Sequence, residues 1–328
     1  MNKRILALGS ALVLGAALTG CGADGGTGEG ETTKLTVGTV GIASDAAIAL
    51  GVEQGFFADE GLEIETSVVA NPPAGIAAAQ SGQLDITYTP SIPLLNGLSQ
   101  GVDLQILAAA DGYPDGTSEL EDPSQVDDTG LFAAAGNGIE SPADLEGKSV
   151  SVPARNAQLE VTIAKAILDD GGDPASVNWM VLDPASALQS LEQGRIDAAG
   201  LVAPFSNTAA ENGHTHLAAP GAQFFGDGAI GLWVASGAFA EENPEAAAGF
   251  VRAIYQSNAY ANENLDEAVD KAAELTQVDR AVLESGADSF WPGEVDPADI
   301  DAVNTALVEL GYLESEVELD DDLVYTAQ

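Results

Sequence analysis

VANPPAGIAAAQSGQLDI, residues 69–86, and VLDPASALQSLEQGRIDA, residues 181–198, align without a gap at a constant offset of 112. Val69 falls on Val181, Pro72 on Pro184, Gly82 on Gly194 and Asp85 on Asp197. In each copy an apolar run ends in Asn or Asp followed by Pro, a helix-forming stretch follows, and glycine closes it. Aspartate then opens the next apolar run. Proline suits the first turn of a helix and glycine the position just past its last turn. Four identities alone fit a coincidence between two βα units built by common rules. The repeated order of whole elements is the stronger argument for a chain built twice on one plan.

Working outward from the first copy, KLTVGTV (34–40) reads as a strand. Ser44 or Asp45 caps a helix that carries Ile48, Val52 and Phe56 on one face and ends near Gly55. Strands at 62–69, 84–88 and 104–110 alternate with helices at 73–82 and 91–100. Around the second copy, residues 148–152 parallel the first strand and 157–168 the first helix. Alternation at this spacing argues for α/β layers with parallel strands. The expected lobes are residues 34–112 with 229–328, and residues 113–228. An acidic, turn-rich segment (111–130) leads out of the first lobe, and GAIGLWVA (228–235) leads back. Helical stretches at 244–261, 266–276, 280–286 and 297–310 are expected to pad the outer face of the first lobe.

Cys21 is the only cysteine of the 328 residues and closes LTGC (18–21). Lys3 and Arg4 precede an apolar run from Ile5 to Ala17, the layout of an export signal. The run falls short of the roughly 20 apolar residues that span a bilayer. The tetrapeptide resembles the bacterial lipoprotein box, which implies that residues 1–20 are removed and that Cys21 carries lipid. A plain secretory signal is the alternative. Residues 21–33 then form a Gly-rich tether with an r.m.s. span of about 20 Å. A lone cysteine forms no internal disulfide. The formal charge is −42, and loss of Lys3 and Arg4 makes it two units more negative. Such a surface repels nucleic acid and anionic lipid. The 45% hydrophobic content speaks for packed cores and against a disordered acidic chain.

Three stretches carry a family resemblance: AIALGVEQGFFADEGLEI (47–64), DLEGKSVSVP (144–153), and GRIDAAGLVAPF (194–205) with AENG (210–213) after it. They resemble the solute-binding proteins of ABC importers, closest to the nitrate/sulfonate/taurine and thiamine-precursor (NMT1/THI5-like) group. The resemblance implies a two-lobed α/β fold of periplasmic-binding-protein type II, with a ligand cleft between lobes that are each a mainly parallel sheet flanked by helices. It also implies a small anionic or zwitterionic solute (sulfonate, nitrate, carboxylate or pyrimidine-like), and a permease with its ATPase as partners. The protein would be a monomer without a cofactor, held at the outer face of the cell membrane by its lipid alone. Ala203 departs from the Glu that many relatives have there. Two other readings stand beside this one. One is an enzyme of the pyrimidine-precursor synthase type, disfavoured by the absence of any cysteine after Cys21. The other is a ligand-sensing lipoprotein with no permease of its own.

Loops that follow the strands of such lobes face the cleft. They offer Ser44, Asp45, Asn71, Thr89, Ser91, Arg155, Asn156 and Phe205, with Asp111 and Tyr113 where the chain leaves the first lobe. Arg155 is one of only ten Lys and Arg residues and stands at a helix start, where a cation is unfavourable. Its guanidinium could grip a carboxylate or sulfonate in a fork, pair with Glu160, or face water. Asp45 could hold the amino group of a zwitterion, or cap its helix. Of Tyr88, Tyr113, Phe205 and Trp233, one or two are expected to reach a ligand. Trp179 and Trp291 are read as packing. His214 and His216 would point to opposite faces of an extended segment and give no metal site.

Overall fold

The computed structural model describes residues 32–320 and 322–326. The export segment, Cys21 and most of the tether lie outside the described residues. Among the described residues there are ten strands: β1 (Thr33–Thr39), β2 (Leu62–Val68), β3 (Ile86–Pro90), β4 (Leu104–Tyr113), β5 (Thr129–Ala133), β6 (Ser149–Val152), β7 (Asn178–Val181), β8 (Ala198–Val202), β9 (Thr215–Ala218) and β10 (Gly228–Ser236). They form two five-stranded sheets, ordered β2-β1-β3-β10-β4 and β7-β6-β8-β5-β9. β1 runs parallel to β2 and β3, and β6 parallel to β7 and β8. In each sheet one strand runs the other way. β10 is antiparallel to β3 and β4, and β5 is antiparallel to β8 and β9. These two strands are the ones by which the chain enters each lobe from the other.

The repeat read from sequence has an equivalent at atomic level. Asn71 caps the helix Pro72–Gln80 by accepting from Ala74 N–H, and Asp183 caps Pro184–Glu192 by accepting from Ser186 N–H. Asp85 Oδ2 accepts from the N–H and the hydroxyl of Thr36, each at 2.7 Å. Asp197 Oδ2 accepts from the N–H and the hydroxyl of Ser149 at 2.8 and 2.7 Å. Asp85 thus ties the start of β3 to β1, and Asp197 the start of β8 to β6. Charge-assisted bonds of this type also hold the Asp197 carboxyl below its ordinary pKa, the Ser149 N–H contributing most.

Each sheet is buried on both faces, as a crossover-connected sheet must be. In the first lobe one face packs on a cluster containing Leu35, Ile86, Trp233 and Phe250, the other on one containing Ile92, Leu95, Ile106 and Leu307. The second lobe buries Leu131, Val150 and Ile163 on one face and Phe132, Leu191 and Leu201 on the other. The helix Ala46–Gln54 lies against Pro244–Glu263 so closely that a Cβ on Gly51 would sit 1.8 Å from Ser257 Oγ. Its buried face holds Ala46, Ala47, Ile48, Leu50 and Gly51; Val52, placed on that face by its spacing, is 42% exposed.

The C-terminal helices divide. Pro244–Glu263 and Pro297–Glu309 cover the first lobe as expected. Leu265–Thr276 packs against Ala46, Ala47 and Leu50 of the first lobe in a cluster that also takes in Ala203 of the second. The short helix Arg280–Leu283 reaches further: Asn207 Nδ2 donates to the carbonyls of Val282 and Leu283 at 3.1 and 3.3 Å. Leu265–Thr276 thus pads the first lobe, while Arg280–Leu283 carries the segment on to the second.

Candidate functional site

The carboxyl ends of β1, β2 and β3 face those of β6, β7 and β8 across a cavity of about 110 Å³. Val40, Ile42 and Ser44 enter it after β1, Asn71 after β2, Tyr88 from β3, and Asp111 and Tyr113 from β4. The second lobe contributes Pro153, Ala157 and Leu159 after β6, Pro184 after β7 and Val202 from β8. The crossing segment adds Val126, Asp128 and Thr129, and Phe290 arrives from the C-terminal region. The walls are mainly apolar. No Lys, Arg, His or Cys stands among these lining residues.

Two of the polar side chains on the wall, the carboxylates of Asp111 and Asp128, stand in contrasting surroundings. Asp111 accepts from Ser44 Oγ at 2.5 Å and from the Tyr88 hydroxyl at 3.1 Å. A Cβ on its β10 neighbour Gly231 would lie 2.0 Å from Asp111 Oδ1, so only glycine lets the carboxylate sit there. Burial pushes the Asp111 carboxyl above its ordinary pKa, while the Ser44 and Tyr88 hydroxyls and the Gly231 N–H pull it back. Asp128 is half-buried and opens on the cavity. Its carbonyl accepts from Ala203 N–H and the Ser206 hydroxyl, but its carboxylate has no donor from another described residue. Burial, then the Asp111 and Asp127 charges, raise its pKa well above the carboxylate range.

Asp127, next in the chain, is saturated. It accepts from the Tyr113 hydroxyl, from Thr129 N–H at 2.9 Å and Oγ1 at 2.6 Å, and from Ala222 N–H at 2.9 Å. That cluster pins the end of β4 to the start of β5. Tyr113 therefore shows its ring to the cavity while its hydroxyl is engaged elsewhere.

Of the ten residues expected from sequence, Ser44, Asn71, Asp111 and Tyr113 line the cavity. Asp45 does not. It is buried and accepts from the N–H groups of Gly41 and Ile42 at 2.8 and 3.1 Å, which folds the loop after β1. Burial raises its pKa to about 7, with Asp111 nearby adding to the rise. Thr89 donates to the Pro90 carbonyl, and Ser91 is buried with an unpartnered hydroxyl. Phe205 packs on the second lobe's core. Arg155 is turned away: Nε lies 2.5 Å and Nη2 3.1 Å from the Glu160 carboxylate, and the guanidinium is half-exposed. Arg155 and Asn156 line a surface groove outside the mouth, where Asn96 Nδ2 donates to the Asn156 carbonyl and joins the lobes. Trp233 is wedged between Tyr88 and Phe250 with centroids 6.0 Å away on each side. Trp291 Nε1 donates to the Ser44 carbonyl at 2.8 Å and so holds the loop that presents Ser44. His214 Nδ1 accepts from Ala135 N–H and His216 stacks on Phe132.

Sequence reading did not single out Asp128 or Phe290. Asp128 sits in a run of acidic turns with nothing local to separate it from Asp127. Phe290 reaches the cavity only because its carbonyl accepts from Gly112 N–H at 3.1 Å, a pairing between distant segments.

The NMT1/THI5-like family model matches residues 44–268, more than half of the chain. A binding protein of Brucella abortus is 28% identical over 73% of this chain and 70% of its own length. The formylaminopyrimidine-binding protein of Halalkalibacterium halodurans is 27% identical over 76% of this chain and 72% of its own. The solved alkanesulfonate-binding protein of Xanthomonas axonopodis pv. citri, bound to MOPS, superposes with a TM-score of 0.72 at 15% identity, covering 88% of this chain and 96% of that one.

Proposed function

The chain belongs to the NMT1/THI5-like family, and from that premise we propose that it is the extracytoplasmic solute-binding component of an ABC importer. Residues 34–112 with 229–328 form one closing body and residues 113–228 the other. They shut on a small solute and present it to a permease driven by its ATPase. The observation that carries this reading is the enclosed cavity at the facing carboxyl ends of two duplicated sheets, the position where α/β folds bind ligands. Its size supports a small solute: a cavity of roughly 150 Å³ holds a benzene ring. Among the ligands in the relatives' names, an aminopyrimidine suits these apolar walls and hydrogen-bond acceptors better than a sulfonate does.

The protein works as a receptor and not as an enzyme. The relatives and the solved neighbour it resembles are binding proteins by name, which supports this reading. Export and a lipid on Cys21 place it at the outer face of the cell membrane. No helix among the described residues is long and apolar enough to cross a membrane, so the lipid is the tether in this reading. The lining candidates Ser44, Asn71, Asp111 and Tyr113 are the proposed contacts, joined by Tyr88 and Asp128.

Calorimetry and thermal shift on the purified full chain, across alkanesulfonates, taurine, nitrate, carboxylates, amines and aminopyrimidines, test the receptor reading. Binding of at least one class is expected, and silence of the whole panel sinks it. Cys21→Ala should move the protein from the membrane to the soluble fraction.

A further inference from the structure

We infer that the solute carries a protonated amine or amidinium head, seated on Asp111 and Asp128, on a body about the size of one ring. The inference rests on the receptor reading above and names the class of solute.

The charge of the site is one-sided. Asp111 and Asp128 face the cavity, Asp45 stands behind Asp111, and Asp288 lies on the wall. The basic group nearest in sequence to the cavity loops, Arg155, is committed to Glu160. A sulfonate or nitrate would enter beside carboxylates with no cation to receive it, in a space where like charges repel far more strongly than in water. Asp128 adds a positive requirement. Its carboxylate opens on the cavity without a donor from another described residue, whereas Asp127 beside it is saturated by three residues. A half-buried carboxylate without a protein donor keeps its acceptor sites open to an N–H that enters the cavity. Asp111 already holds the hydroxyls of Ser44 and Tyr88. It is thus oriented in advance, with its remaining lone pairs free for a ligand N–H. Elsewhere on the wall, beside the polar Asn71, Gln158 and Ser289, the side chains of Ile42, Leu159, Ile230 and Phe290 offer apolar surface, which suits an aromatic or aliphatic body.

The groups facing the pair are all acids: Asp45 and Tyr88 beside Asp111, Asp127 and Tyr113 beside Asp128, and Asp288 on the wall. Burial and crowding raise the proton affinity of Asp111 and Asp128, and a cation bound between them lowers it. Amine binding is then coupled to proton release, and affinity rises with pH while the amine itself stays charged.

The test uses ring-sized probes that differ in charge: benzylamine and 5-aminomethylpyrimidine as cations, benzyl alcohol as the neutral isostere, benzenesulfonate as the anion. On the full chain, calorimetry should show the amines binding at least tenfold tighter than the alcohol, with no measurable binding of the sulfonate. Heats in two buffers of different ionisation enthalpy should report proton release. Asp128→Asn should weaken the amines at least tenfold and leave benzyl alcohol within threefold. Benzenesulfonate, taurine or nitrate binding more tightly than the amines overturns the inference and leaves the receptor standing. So does an Asp128→Asn variant with unchanged amine affinity, or binding of the alcohol alone. If neither these probes nor the wider panel binds, both readings fall.

Discussion

The loops after β1 and after β6 occupy equivalent places in the two lobes, and each is folded by one buried carboxylate at a helix start. Asp45 gathers the N–H groups of Gly41 and Ile42, and Glu160 gathers the N–H of Asn156. Only the second carries its own cation, Arg155. The duplicated plan therefore ends at the loops. On the rim of the second lobe charge is balanced within the protein. Around the cavity it is left open, with Asp111 and Asp128 on the wall and Asp45 behind them lacking any basic partner among the described residues. The architecture is symmetric and the chemistry is not, and that imbalance is what a ligand can complete.

The largest expected effect tests the symmetric half of this contrast. Phe250→Ala in the first lobe should cost about 3–5 kcal/mol, and Ile163→Ala in the second about 2–5 kcal/mol, by cavity formation. Both side chains are fully buried. Denaturant unfolding of the two variants should give losses of similar size; a second lobe that tolerates Ile163→Ala would break the equivalence.

Asp45 tests the asymmetric half through pH. Its pKa is raised to about 7 in the folded protein, against about 3.9 when unfolded. The native state therefore holds the proton more tightly. The stability this contributes is complete below about pH 4 and is lost as pH rises to about 7, by as much as about 4 kcal/mol. Asp45→Asn keeps an oxygen for Gly41 and Ile42 and should flatten that slope. Urea titrations of both proteins from pH 4 to 8 read it directly. A wild type and a variant with the same pH profile would remove Asp45 from the uncompensated set.

A smaller effect compares the two aspartate ties. Asp85→Ala and Asp197→Ala should each lose about 1.5–3 kcal/mol, the range for hydrogen bonds to charged groups. Because the Asp197 pKa is lowered on folding, its contribution is present above about pH 4 and fades as the carboxylate protonates at lower pH. Unequal losses at pH 7 would sharpen the contrast by showing that even the shared scaffold is weighted toward one lobe.

Least affected should be Arg155→Ala. Breaking a fully buried pair costs about 3–5 kcal/mol. Here the arginine is half-exposed and Glu160 keeps the Asn156 N–H, so a loss of about 1 kcal/mol is expected. Solute affinity should stay within twofold. A tenfold loss of affinity would return Arg155 to the binding site.

Much of this architecture was legible in sequence because it rests on local patterns. The apolar runs gave the strands of the first lobe, and the Asn/Asp-Pro and Gly signals bounded the helices at 72–80 and 184–192 within a residue or two. β5 was not legible, since a run of five buried residues between acidic turns says nothing about which strands it will join. Cavity chemistry was legible only in part. Ser44, Asn71, Asp111 and Tyr113 follow from strand ends, a rule of position. Asp127 and Asp128 are the same residue type at adjacent positions with opposite environments, and only the reach of Tyr113 and Ala222 separates them. Arg155 stood out by its rarity, yet its partner lay five residues away on the next helical turn.

The reversed central strands have a consequence for how the chain is born. β3 and β4 do not pair with each other; each pairs with β10. As the polypeptide emerges, the first four strands can form, but the slot between β3 and β4 stays empty until residue 228 arrives, after the whole second lobe has been made. Until then two strands present unpaired edges, which invite association with other chains. Contacts that wait for so distant a partner also form slowly. A nascent chain stopped before residue 228 should therefore be the aggregation-prone species, and the second lobe, complete within one continuous segment, the first part to reach its final form.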